Sequence, residues 1–167
     1  MATISSRGEI VETSGELPAL GNPAPDFFLR KADLTPVALS DYAGMRLVLN
    51  IFPSIDTPTC AKSVRQFNQR AAAMPNTRVL CVSADLPFAL SRFCGAEGID
   101  QVETALVYRT PEFGRDYGVY MPDGRLGGLL ARAILVIDGD GTVIHRELVP
   151  EIAQEPDYDA VMAVLAR

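Results

Sequence analysis

A chain of 167 residues with 48% hydrophobic and 22% charged residues has the composition of one folded domain, residues 1–167, long enough to bury a substantial core; disorder is excluded. A formal net charge of −6 argues against nucleic acid as a partner. The opening residues MATISSRGEIVETSGELPAL hold no apolar signal core, and no later run approaches the roughly 20 apolar residues of a spanning helix, so no membrane and a cytoplasmic location are expected.

After that N-terminal lead of about twenty residues, strands and helices alternate. Residues 46–52, RLVLNIF, and 78–84, RVLCVSA, are rich in branched apolar side chains and read as buried strands. Between them, Cys60, Val64, Phe67, Ala71 and Met74 recur at helical spacing, which predicts a strand–helix–strand crossover with two parallel strands. The segment PSIDTPTC, residues 53–60, marks where that helix begins. Thr57 is a competent N-cap, and Pro58 suits the first turn because its missing N–H would have no partner there. Cys60 therefore falls in the opening turn, beyond the carboxyl end of a strand, where open α/β sheets place their ligand sites. Free backbone N–H groups and the positive end of the helix dipole favour a thiolate there; the alternative is a buried cysteine serving as a small hydrophobe.

Cys81 lies inside the second predicted strand and reads as inert packing. The next helix is expected from Leu86 to Cys94, with Asp85 as a possible cap, Leu86, Leu90, Phe93 and Cys94 on one face, and Gly95 ending it. Cys94 thus has a plain role as core filling, yet it stands at a glycine-flanked end, FCGAEG, where local opening costs little. Cys60 begins one helix and Cys94 finishes another, so joining them requires helix ends to unwind, because a disulfide needs Cα atoms within about 7 Å. Arg132, in LLARAIL, is a lone cation just before a strand, and on its own reads as an exposed strand end with its stem packed on apolar surface. DGDGT at 138–142 resembles the start of a calcium loop, but Val143 and Val149 stand where glycine and a bidentate glutamate are required. A hairpin turn between AILVI and TVIHREL accounts for it better. His145, the only histidine, is expected to face solvent from that strand. No metal site is expected: one histidine and three dispersed cysteines offer neither zinc-ligand spacing nor a secreted disulfide framework.

Pro53, Thr57 and Cys60, spaced as proline, three residues, threonine, two residues and cysteine, resemble the reactive-cysteine motif of the peroxiredoxins. The strings NIFPSIDTPTCAKSVRQFN, SADLPFALSRFCGAEG and GLLARAILVIDGDG are similar to the thiol peroxidase subfamily, of atypical 2-Cys type, and the likeness runs from about Leu17 to EPDYDAVMAVL. Arg125, in MPDGRLGG, departs from it where proline is expected, which bears on loop shape.

The resemblance implies a thioredoxin-like α/β fold, a central mixed sheet flanked by helices, with the first twenty or so residues as an added β-hairpin. It implies that Cys60 is the peroxidatic cysteine and Cys94 the resolving one, that Thr57, the Cys60 N–H and Arg132 donate to the peroxide oxygens, and that Pro53 shields the pocket. Hydrogen peroxide and organic hydroperoxides are the implied substrates, thioredoxin the implied reductant of an intramolecular disulfide, and a homodimer the implied assembly, without a bound cofactor. A CXXC disulfide oxidoreductase is disfavoured because Ala61, Lys62 and Ser63 follow Cys60. A redox sensor or interaction protein, whose disulfide changes a binding surface without sustained turnover, is the remaining alternative.

Overall fold

The apolar runs behave as their composition requires. In a computed structural model describing residues 1–167, β5 (Arg46–Ile51) is central, paired parallel to β6 (Thr77–Ser83) and antiparallel to β8 (Ala133–Ile137). Four further strands, β3 (Phe28–Lys31), β4 (Pro36–Ala38), β7 (Glu103–Leu106) and β9 (Val143–Leu148), complete a seven-stranded mixed sheet in the order β4-β3-β7-β6-β5-β8-β9. A separate antiparallel hairpin of β1 (Thr3–Ser6) and β2 (Glu9–Glu12) occupies the N-terminal lead, as expected.

Side chains of β5 alternate between two cores. Leu47, Leu49 and Ile51 join Ile4 and Val11 of the N-terminal hairpin and Phe113 of the short helix α3 (Glu112–Asp116) on one face. Val48 points to the other face, as does Phe52 just beyond the strand. There they meet Val64 and Phe67 of α1 (Pro58–Arg70), Leu90 and Phe93 of α2 (Pro87–Glu97), and Val161 and Leu165 of α4 (Tyr158–Leu165). Val48, Leu49, Ile51 and Phe52 are each 0% exposed, and at about 1.5–3 kcal/mol per fully buried side chain they make the strand a firm base for residues 53–60. No helix is long and apolar enough to cross a membrane.

Three local expectations need correction. Helix α2 does not end at Gly95: it continues to Glu97, and Gly98, at φ +65°, supplies the left-handed C-cap that accepts no side chain easily. Cys94 is therefore inside the last turn and not at its end. Asp85 does not cap α2; Leu86 holds the N-cap position without a side-chain bond, and is itself exposed while Leu90 and Phe93 are buried. His145 is half-buried, its Nε2 is enclosed without a partner, and burial pulls its pKa below the usual imidazole value. A register shift between β8 and β9 near Val136 and Ile137 interrupts the simple alternation on which a solvent-facing His145 depends.

Candidate active site

Helix α1 starts as its sequence specifies. Thr57 is extended, with φ −97° and ψ 146°, its Oγ1 accepts from the Cys60 N–H at 3.3 Å, and Pro58 opens the helix. The Thr57 hydroxyl donates to the Ser54 carbonyl at 3.1 Å, so two donors expected to face a substrate are engaged within the turn. The Ser63 hydroxyl donates to the Cys60 carbonyl at 2.8 Å and receives Asn50 Nδ2 at 3.2 Å, which ties the cysteine's backbone to the middle of β5.

Arg132 sits between the Tyr120–Leu130 bridge and β8, and is only 2% exposed, contrary to an exposed strand end. Its Nη2 donates to Cys60 Sγ at 3.3 Å and its Nε to the Ile152 carbonyl at 3.0 Å. Nη1 is buried with no partner. A buried guanidinium with one idle donor is costly unless something arrives to accept from it, so the arrangement suits a polar ligand beside the sulfur. Cys60 itself is 0% exposed. A cleft of about 210 Å³ adjoins it, walled by Pro53, Thr57, Arg132 and Ile152. Pro53 is buried and offers no N–H, so this wall contributes no competing donor.

Sequence reasoning missed Asp85. Its carboxylate accepts from the Ser54 hydroxyl at 2.6 Å, the Ile55 N–H at 2.7 Å and the Ser83 hydroxyl at 2.6 Å. One side chain thus fastens the loop that leads to Cys60 onto the segment that leads into α2. An aspartate followed by Leu-Pro invites a capping interpretation, and only its partners about thirty residues earlier reveal the anchor. The roles of Ile152, Asn50 and Ser63 were equally invisible, since each acts through a backbone carbonyl or a partner on another element.

The other two cysteines are placed differently. Cys81 is 1% exposed, and burial pushes its thiol up to about 12, opposed by the Asn50 amide, which donates to its sulfur at 3.6 Å. Cys94 is half-buried; burial raises its pKa, opposed by a hydrogen bond with Thr104 on β7. All three thiols are free, and the structure brings Arg132 to Cys60 but leaves Cys94 facing β7. No group of three or more His, Cys, Asp or Glu side chains is gathered as a metal site.

Together, a nucleophile in a capped helix turn, a buried cation touching it and a cleft for a small ligand can support displacement at a polar bond. Comparison with known proteins agrees. Residues 19–162 match the Redoxin family. A thiol peroxidase of Mycobacterium bovis is 57% identical over 165 residues, 99% of each chain. A peroxiredoxin-like protein from Aquifex aeolicus superposes with a TM-score of 0.92 at 36% identity, covering 99% of this chain and 96% of that one. A thiol peroxidase from Chromobacterium violaceum shares the fold, with a TM-score of 0.91 at 20% identity over 98% of this chain and 95% of that one.

Proposed function

Since this chain belongs to the Redoxin family, as a peroxiredoxin-type thiol peroxidase, we propose that Cys60 is the residue that reduces the peroxide. Its substrates are peroxides and its electrons come from a thiol reductant. The observation that carries the assignment to Cys60 is the Arg132 guanidinium, with Nη2 on the sulfur and Nη1 unpartnered beside the cleft.

In this reading the Cys60 thiolate attacks one peroxide oxygen in line with the O–O bond. A sulfenic acid forms, and the other oxygen departs as an alkoxide or hydroxide that takes a proton to become alcohol or water. Negative charge grows on the departing oxygen, and Arg132 Nη1 is the idle donor available to it. The Thr57 hydroxyl, once it turns from Ser54, is a second donor, and Pro53 helps keep water from the cleft.

Cys94 then attacks the sulfenic sulfur, releasing water and forming a Cys60–Cys94 disulfide. The last turn of α2 must open for this, because Cys94 sits in intact helix there while Cys60 is buried in the first turn of α1 against Arg132. Thioredoxin is the proposed reductant, by exchange through a mixed disulfide, in a cytoplasmic antioxidant role. A homodimer is supported by Phe28, Leu86, Phe88 and Tyr108, exposed large apolar side chains at the sheet end where β6 and β7 terminate. The test is steady-state consumption of hydrogen peroxide and cumene hydroperoxide with thioredoxin and its reductase, followed by disulfide mapping. Sustained turnover with a Cys60–Cys94 bridge is expected; one equivalent of oxidation and then arrest would make the chain a sensor.

A further inference from the structure

The cleft beside Cys60 has a second cationic feature that peroxide reduction does not use. Its mouth is lined by Arg7 and Arg125, on two separate elements. Arg7 and Gly8 form the two-residue turn between β1 and β2, with φ of +52° and +83°. Asparagine or glycine ordinarily takes the first place of such a turn, and a left-handed arginine is strained there. The hairpin nevertheless carries arginine there, at the rim of the cleft. Arg125, on the loop between Met121 and Leu129, donates through Nη2 to Ser6 Oγ at 3.3 Å, which holds that loop against the hairpin.

Both side chains are exposed and neither is ion-paired, although the chain has a net charge of −6; the salt bridges all lie elsewhere. Glu151, a carboxylate beside the same hairpin, keeps its negative charge but is turned to other donors. It accepts from the Ala153 N–H at 3.3 Å, and hydrogen bonds, chiefly from the Ser5 hydroxyl, hold its pKa below the usual range, so it pairs with neither guanidinium and the two arginines outnumber it. Leu126 and Ile152 supply apolar wall in the same cleft. A ligand that fits this arrangement has its peroxide at Arg132, a short carbon body on the apolar wall and a negative group at the mouth.

We propose that Arg7 and Arg125 form an anion subsite that selects hydroperoxides bearing a carboxylate. The planar guanidinium fork suits a carboxylate, and two exposed cations without ion-pair partners on the lining of one cleft also raise the local concentration of an anionic substrate. This rests on the peroxidase reading above, with the same displacement at Cys60.

The experiment compares cumene hydroperoxide with its 4-carboxylate, which differ in charge and little in shape. Arg7→Asn, which suits the left-handed turn, and Arg125→Gln are combined. The parent is expected to have the higher kcat/KM for the carboxylated peroxide, and the ratio should fall about ten-fold in the double variant and shrink in the parent at high salt. A ratio that stays within two-fold of the parent's, or equal losses for both peroxides, overturns the subsite. Binding is read separately by titrating 4-isopropylbenzoate and the neutral 4-isopropylbenzamide into the Cys60→Ser protein, with and without the two substitutions. Selective benzoate binding that needs both arginines supports the subsite even if neither peroxide is consumed, in which case the peroxidase reading falls alone. Equal binding of the two probes overturns the subsite.

Discussion

Cys60 and Cys94 both stand near helix ends, but the two ends are held in different ways. The first turn of α1 is capped by Thr57, opened by Pro58, tied through Ser63 to Asn50, and contacted by Arg132. The last turn of α2 contains Gly95, ends on the left-handed Gly98, and is fastened to α1 by an exposed pair, Arg65 with Glu97 at 2.6 Å. A second exposed pair, Arg92 with Asp56 at 2.8 Å, ties α2 to the loop before Cys60. Buried hydrogen bonds to a cation and a cap hold geometry against thermal motion, whereas exposed ion pairs and glycine hold it weakly. The difference separates a preorganised site, which must present a sulfur to a peroxide, from a turn that must open to deliver a second sulfur.

Substitutions that erase one side of this contrast have the largest effects. Cys60→Ser should abolish peroxide consumption, measured as loss of peroxide over time; retained turnover would reassign the nucleophile. Cys94→Ala should consume about one equivalent and stop as a sulfenic acid, trapped with a dimedone-type reagent and read by mass spectrometry. A Cys60–Cys81 bridge in that variant would show that Cys81, despite a thiol pushed up to about 12, can act. Arg132→Lys keeps the charge but not the fork to Cys60 and Ile152, and should lower the single-turnover rate by on the order of 10²–10³.

Smaller changes sharpen the contrast on the α2 side. Gly95 has helical backbone and nothing within 4 Å of an added Cβ, so Gly95→Ala should stiffen the last turn by about 1 kcal/mol and slow disulfide formation about five-fold. Rapid-quench alkylation followed by mass spectrometry reads the sulfenic-acid-to-disulfide step, and an unchanged rate would place the opening elsewhere. Glu97→Gln should speed the same step about two-fold by releasing Arg65. The hydrogen bond from Arg65 holds the Glu97 carboxyl below its usual range. The pair is therefore complete above the ordinary carboxylate value and is lost only as pH falls through the lowered one. Between pH 6 and 8 the parent's resolving step should accordingly show no titration from this pair; a change there that disappears in Glu97→Gln would contradict the assignment.

Local chemistry was legible in the chain itself. Thr57 and Pro58 start α1 through contacts three residues long, the branched runs at β5 and β6 read as the buried strands they form, and AILVI at β8 reads as one arm of a hairpin. The hairpin and the mixed sheet were expected from the family resemblance and are present. The end of α2 is not legible from Gly95, because a helix interior tolerates glycine and the left-handed Gly98 is what terminates it. The partial burial of His145 is not legible either, because a register shift between neighbouring strands leaves no mark in an alternating pattern.

The meeting of a cysteine with the start of a helix is written in the chain, because capping and hydrophobic periodicity act between near neighbours. The surroundings of that cysteine come from the packing of distant elements. Arg132 lies 72 residues from the sulfur it touches, Asp85 lies 30 residues from the Ile55 N–H it accepts, and Arg125 meets Ser6 across 119 residues. These contacts are set by strand order and by the docking of the N-terminal hairpin, which depend on the whole packed core and not on any local pattern.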